Sequence, residues 1–447
     1  MHGQQDGANR SIFRIANRGI PTRGDNLTQT INYPRYFSQA VDCIVKVSSS
    51  FFMPHYSPTD DDITVFAETT FRNERKRFGI KRKDRRAHMY LVGKTGMGKS
   101  TLMENMIISD LHRGEGLAVL DPHGDLVARI KMHIPPARQS DLILFDPNEE
   151  THASNLNLLD SRGRAARHLV ASELISVFKK LWSESWGPRT EHILRNTLLA
   201  LLELPQATLL DAQRLLADYE YRQALLTVLE DGPVKRFWVK EFEQYTKNFR
   251  TEAIAPIQNK VGQFVTHPVI GKIIGKPESS FNMRTVMDEG KILLADLSKG
   301  KIGEDASNLL GAILLTQIEL AALNRANIPE GERRDFYTYV DEFHSITSAS
   351  FAGMLSEARK YRLNLILGHQ YMGQLKEELR TAIFGNVGTI VSFRLGAFDA
   401  TYMAREFYPV FSVEDLINLP PYNISLKLMI DGISQTPFSA MSLPTPA

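Results

Sequence analysis

The stretch Met89 to Thr101, MYLVGKTGMGKST, constrains this chain more than any other part of it. The apolar run Met89 to Val92 reads as a buried strand. Gly93 to Ser100 then fits the phosphate-loop pattern G-x-x-x-x-G-K-[ST], and Thr101-Leu-Met-Glu-Asn-Met-Ile-Ile opens a helix. Gly93, Gly96 and Gly98 permit the backbone angles that turn successive N–H groups toward phosphate oxygens. Those groups come from Gly93, Lys94, Thr95, Gly96, Met97, Gly98, Lys99, Ser100 and Thr101. The helix start adds partial positive charge at the same point. Lys99 brings a full charge to the outer phosphates, and Ser100 offers a hydroxyl to Mg²⁺. The expected ligands are ATP and Mg²⁺.

A chain of 447 residues that is 43% apolar is long enough for two or three domains with substantial cores. Its net charge is only +2, so any contact with nucleic acid must come from a local patch. Cys43 is the sole cysteine, which excludes an internal disulfide and a cysteine-built metal site and fits a reducing cytoplasm. No uninterrupted apolar stretch approaches membrane-spanning length, and the start lacks the apolar region of a secretory signal, so a soluble chain is expected.

Strand and helix signals alternate on either side of a helical block. Residues 1–62 are polar without sustained periodicity. They are expected to be poorly ordered apart from one short helix around Tyr36 to Val47. Residues 63–160 read as the first part of an α/β domain, with strands at Ile63–Ala67, Leu117–Leu120 and Asp141–Phe145 and a helix at Leu126–Ile134. Residues 161–280 change to the helical period, as in Leu174, Phe178 and Leu181 or Ile193, Thr197 and Leu201, and read as an all-α insertion. From 281 to 447 the alternation resumes. Strands are expected at Ile292–Ala295, Phe336–Val340, Leu363–Leu367, Thr389–Phe393, Ile424–Ile430 and Thr436–Ala440, with helices at Ser307–Asn324, Phe351–Tyr361 and Val413–Leu419. The predicted fold class is α/β, a P-loop core with a mainly parallel sheet and an inserted all-α domain.

Three features compete for a role. Phe71 to Arg86, FRNERKRFGIKRKDRR, holds nine Lys/Arg against two acids. It reads as a DNA-contacting surface, as a solvated loop, or as a contact to ATP on a neighbouring subunit. In Asp121-Pro-His-Gly-Asp125, His123 reads as part of a structural turn, whereas Asp121 at a strand's end is a candidate to face the nucleotide. Trp182, Trp186 and Trp238 could stack on bases, but core packing is the expected use.

The second half of an ATP site is an apolar strand ending in Asp341-Glu342. Asp341 would lie beside the phosphate loop and orient Mg²⁺ through its waters, while Glu342 polarises the attacking water. Gln370, ending the next strand, suits an amide that senses the γ-phosphate. Arg359, on the intervening helix, could be offered to another subunit's γ-phosphate as an arginine finger, and Arg394 is the alternative.

With these elements in this order, the chain resembles the HerA–FtsK superfamily of hexameric DNA-pumping ATPases, and within it the TraD-like coupling proteins of type IV secretion. The resemblance rests on GKTGMGKST (93–101), DPHGD (121–125), the helical insertion, YVDEF (339–343) and Gln370, from about Phe78 to the C-terminus. It implies a RecA-like core in a homo-hexamer that threads DNA through its centre with ATP between subunits. It further implies Lys99 and Ser100 on phosphate and Mg²⁺, Asp341 and Glu342 as metal organiser and catalytic carboxylate, Gln370 as coupling glutamine and Arg359 as the trans-acting arginine. A relaxase-bound nucleoprotein and secretion-channel proteins are the implied partners. Coupling proteins usually carry N-terminal membrane helices, and none is read here. The expected location is therefore cytoplasmic, with a partner supplying any attachment to the inner membrane. The alternatives to a DNA translocase are a channel-assembly ATPase acting on protein and a nucleotide-dependent scaffold without turnover.

Overall fold

The structure, a computed structural model, describes residues 59–70, 75–149, 154–159, 167–182, 186–347 and 351–445. Its strands are β1 (Ile63–Thr69), β2 (Arg77–Lys81), β3 (Met89–Val92), β4 (Gly116–Asp121), β5 (Leu142–Phe145), β6 (Ile292–Asp296), β7 (Phe336–Val340), β8 (Leu363–His369), β9 (Thr389–Ser392), β10 (Asn423–Lys427), β11 (Met429–Ile430), β12 (Ile433–Ser434) and β13 (Phe438–Ser442). All but the small β11–β12 hairpin form one 11-stranded sheet in the order β2-β1-β13-β10-β9-β3-β8-β7-β4-β6-β5. From β9 to β5 every neighbouring pair is parallel, and from β9 to β2 every pair is antiparallel.

The parallel part follows from the sequence. Every residue of β3, β4, β6, β7, β8 and β9 is buried, as strands covered on both faces require. Alternate side chains enter two separate cores. On one face Met89, Leu91, Leu117, Val119, Tyr339 and Ile366 pack on helices α1 (Lys99–His112) and α2 (Asp125–Met132). On the other, Tyr90, Val92, Leu120, Leu293 and Leu365 join a core that continues into the helical block.

That block occupies the chain between β5 and β6, where every described element is helical: α3 (Arg167–Leu181), α4 (Pro188–Leu201), α5 (Asp211–Ala217), α6 (Tyr219–Val228), α7 (Lys247–Thr266), α8 (Pro268–Ile274) and α9 (Met283–Glu289), with shorter turns. Trp238 is fully buried there, and Trp182 stacks on Phe178 at 4.7 Å and on Phe264 at 5.5 Å, so both serve the core as expected. Helix α10 (Glu304–Leu323) follows β6 and packs on α3 and α9. Among the described residues the stretch 304–327 is the one helix long and apolar enough to cross a membrane, and 83% of its apolar window is buried inside the protein. Beyond it come α11 (Phe351–Glu357), α12 (Glu377–Asn386) and α13 (Ala397–Glu406).

The arginine-rich segment departs from the sequence reading. Residues 77–81 form β2, an edge strand whose Phe78 and Ile80 turn inward. Gly79 is needed there, because a Cβ would lie 1.9 Å from the Thr64 carbonyl oxygen. The arginines that follow point into the protein. Arg85, 2% exposed, donates to both oxygens of Asp110 at 2.6 and 2.8 Å and to the Tyr339 hydroxyl at 2.8 Å, and its guanidinium lies 3.7 Å over the Tyr337 ring. Arg82 pairs with Glu115 at 2.7 Å and Asp335 at 2.9 Å, and Arg86 with Asp60 at 2.5 Å and Asp335 at 2.8 Å. Lys81 and Lys83 share Asp431. The three arginines are thus internal partners, while the two lysines are paired at the surface with Asp431. Residues 71–74 and the short helix expected near Tyr36 lie outside the described residues.

Candidate nucleotide site

The phosphate loop sits at the C-terminal ends of the parallel strands, where open α/β sheets bind ligands. Two backbone bonds hold its entry: Gly93 N–H donates to the His369 carbonyl at 3.2 Å and Lys94 N–H to the Arg394 carbonyl at 2.9 Å. Two of the glycines are sterically required. Gly93 has φ 157° and a Cβ would lie 2.5 Å from that of Phe393; Gly98 has φ 112° and a Cβ would lie 2.8 Å from the Tyr422 ring. Lys99 and Ser100 then begin α1. The Lys99 ammonium folds back over the loop, donating to the carbonyls of Gly93 at 2.6 Å and Lys94 at 3.2 Å. Burial lowers its pKa, against the pull of Asp341 and Glu342.

The second wall is the end of β7. Ser100 Oγ donates to Asp341 Oδ2 at 3.1 Å, and Glu342 N–H donates to Asp341 Oδ1 at 3.0 Å. A side chain at position 368 would crowd this carboxylate, since a Cβ on Gly368 would lie 2.9 Å from Asp341 Oδ1. Glu342 adopts φ 50°, a left-handed conformation that costs a non-glycine residue about 1–3 kcal/mol and often marks a functional site. Gln370 Nε2 donates to Glu342 Oε1 at 2.6 Å. Burial and then the neighbouring Asp341 raise the Glu342 pKa, partly offset by Gln370 and Lys99. The result is a shielded carboxylate with one oxygen oriented by an amide.

Asp341, Glu342 and Gln370 therefore meet the phosphate loop around one cleft of about 210 Å³. Two further residues line it, His123 and Tyr422. His123 was expected to serve only the turn. No local sequence pattern marks Tyr422. Its φ is 65°, held by an N–H bond to the Met97 carbonyl at 2.9 Å and by a bond from Ser442 N–H at 2.8 Å to its own carbonyl. The ring lies against the loop, 47% of Tyr422 remaining exposed. The helical block also reaches this wall: Lys180 on α3 donates to the carbonyls of His344 and Ser345, both at 3.0 Å, just beyond Glu342.

One expected assignment changes, that of Asp121, whereas Arg359 lies where a residue meant for a neighbouring subunit is expected. Asp121 does not face the cleft; it is 1% exposed and accepts from the N–H groups of His123 at 2.9 Å, Leu126 at 2.8 Å and Val127 at 3.1 Å, so it caps the start of α2. Arg359 does not line its own chain's cleft. It lies exposed in the turn before β8, at the strand end opposite the phosphate loop, and its guanidinium makes no hydrogen bond or ion pair among the described residues. Arg394 stays beside its own loop, half-buried, with Nε donating to the Leu419 carbonyl at 2.6 Å.

Among the described residues no cluster of three or more His, Cys, Asp or Glu could hold a metal unaided. Ser100 and Asp341 instead offer a hydroxyl and a carboxylate oxygen next to the phosphate loop. That is the sparse oxygen set that suits Mg²⁺, which keeps several waters and takes its remaining ligands from phosphates.

The fold and the cleft have counterparts in solved structures. The plasmid coupling protein TrwB in complex with ADP and Mg²⁺ is 16% identical, with a TM-score of 0.59 over 85% of this chain and 88% of that one. TrwB with the non-hydrolysable ATP analogue ADPNP is 16% identical, with a TM-score of 0.60 over 88% of this chain and 90% of that one. VirB4 of Thermoanaerobacter pseudethanolicus is 12% identical, with a TM-score of 0.56 over 88% of this chain and 98% of that one. At such identities the likeness is one of fold: a RecA-like P-loop core with an all-α domain. No curated protein matches the chain. The sequence of one family, the type IV secretion-system coupling protein DNA-binding domain, matches residues 78–405. Since that match takes in well over half of the chain, the protein belongs to this family of coupling-protein DNA-binding domains.

Proposed function

We propose that this protein is an ATP-hydrolysing DNA translocase that delivers DNA or a nucleoprotein to a type IV secretion channel. The observation that carries the reading is the convergence of Lys99, Ser100, Asp341, Glu342 and Gln370 on one cleft at the strand ends. We divide the chain accordingly into an N-terminal segment (1–62), two parts of one ATPase domain (63–160 and 281–447) and an all-α insertion (161–280).

In this reading the loop N–H groups from Gly93 to Thr101 take the phosphates, and Lys99 releases its two carbonyl partners to meet the outer ones. Ser100 would hold Mg²⁺ directly and Asp341 through its waters. When bound, the ion neutralises charge building up on the phosphate oxygens. Glu342, shielded and raised in pKa, accepts a proton from the attacking water, and Gln370 holds the carboxylate in the orientation that reaches it. The half-exposed Tyr422 ring offers a face on which the nucleoside can stack. Arg359, exposed and without a side-chain partner among the described residues, is placed to serve the cleft of the next subunit in a ring of six, whereas Arg394 is already engaged beside its own loop. We place the motor on the cytoplasmic side, with any attachment to the inner membrane supplied by a partner, and with a relaxase and channel proteins as its contacts.

The test is the steady-state rate of phosphate release with and without DNA, alongside sizing of the protein with a slowly hydrolysed ATP analogue. A DNA-stimulated rate and a ring are expected. A rate that responds to secreted protein and not to DNA would replace the reading with that of a channel-assembly ATPase. Arg359→Ala is expected to be inactive alone and to regain activity in rings mixed with Lys99→Ala subunits. Without such recovery the trans role is lost.

A further inference from the structure

A second cavity, of about 410 Å³, lies where the helical block meets the core, between α3, α10 and the turn from α11 to β8. Three carboxylates reach it, one from each wall: Glu173 on α3, Glu319 on α10 and Glu357 on α11. Met354, Tyr361 and Leu363 supply apolar surface. Glu319 is the unusual member. It is 7% exposed, lines the cavity, and makes no hydrogen bond or ion pair among the described residues. A buried, unpaired carboxyl group is costly to ionise, and this one sits among two others of like charge.

We propose that this cavity binds a small organic cation, an alkylammonium or alkylguanidinium whose charged end meets Glu319 and whose methylene stem lies on Met354, Tyr361 and Leu363. Cationic heads with apolar stems suit such walls, because the stem stays in apolar contact while the head finds an acceptor. A metal ion fits them poorly, since the carboxylates form no metal-sized cluster. The position gives the site a consequence: its walls come from the helical block, the core helix and the turn holding Arg359, so an occupant ties the three together. The proposal stands independently of nucleotide binding.

Burial, with Glu173 and Glu357 adding to it, pushes the Glu319 pKa up to about 8. Glu319 therefore holds a proton near neutrality and loses it as the pH rises, while alkylamines stay charged to about pH 10. Cation binding should strengthen from pH 6.5 to 8.5.

The experiment is calorimetric titration of the full chain, without nucleotide, at both pH values, using putrescine, agmatine and N-acetyl-arginine amide as probes. Saturable binding of putrescine or agmatine is expected, tighter at pH 8.5, weakened at least tenfold by Glu319→Gln and several-fold by Glu357→Gln. The pH step should vanish in Glu319→Gln. Binding of the arginine amide alone supports the same chemistry and assigns its source to a partner protein's side chain. Absence of binding by all three probes, or equal affinity in Glu319→Gln, overturns the proposal. Should Glu319→Gln not fold, Glu357→Gln decides alone, and unchanged affinity in it overturns the site.

Discussion

The segment from Arg77 to Arg86 and the cleft around Lys99 both concentrate charge, and they use it in opposite ways. In the first, Arg82, Arg85 and Arg86 each meet carboxylates inside the chain, with Asp335 shared by two of them. In the second, Lys99 has only carbonyl oxygens as hydrogen-bond partners, Glu342 sits in a left-handed backbone conformation, and burial with the neighbouring Asp341 raises the cost of ionising Glu342. A cation satisfied by a buried carboxylate serves the fold. A cation left with capacity, beside a carboxyl group that burial and its neighbour make costly to ionise, awaits a ligand. Neutralising the whole arginine-rich segment to probe DNA contact would also remove the buried Arg85–Asp110 pair, so such a variant reports on DNA only when its urea unfolding is measured beside it.

The contrast can be broken most forcefully in the cleft. Glu342→Gln should lower turnover by roughly 10²–10⁴-fold, the usual worth of a positioned general base, while nucleotide affinity, read by a fluorescent analogue, stays near wild type. Normal phosphate release from that variant would remove the cleft's catalytic half. On the other side, Arg85→Met strands the fully buried Asp110 and should cost about 3–5 kcal/mol in urea unfolding. Nucleotide affinity of the folded fraction should be unaffected. A loss below about 1 kcal/mol would mean that the segment's pairs are not structural.

Smaller changes sharpen the boundary between the two regions. Tyr422→Ala should raise the KM for ATP about tenfold, as lost base stacking of about 1–3 kcal/mol predicts, while tripolyphosphate inhibits as before. An equal loss for both ligands would place Tyr422 with the loop's support and not with the nucleoside. The pH profile offers the finest test. Glu342 must be ionised to accept a proton, and its pKa is raised by burial and Asp341, so turnover should fall on the acid side at a pH above the ordinary carboxylate range. Gln370→Leu removes a hydrogen bond that favours the ionised form, so the acid limb should move further up in pH. A limb that moves down or stays fixed would separate Gln370 from Glu342.

Local patterns made much of this legible. The phosphate loop, the Asp341-Glu342 strand end and the apolar runs of β3, β4, β6, β7 and β8 are contiguous in the chain, and a run of apolar residues buried on both sides leaves few options but a parallel sheet. The helical period between β5 and β6 was equally plain, because α3 and α4 show it within single helices. What tertiary structure alone decided is where charges and rings end up. Ser100 meets Asp341 across 241 positions of sequence, and Arg86 meets Asp335 across 249. Counting basic residues between Phe71 and Arg86 cannot show that Asp335, Glu115 and Asp110 fold back onto them. Tyr422 and His123 join the cleft for the same reason: each lies in an irregular connection whose path is set by packing of the elements around it, not by any period in its own residues.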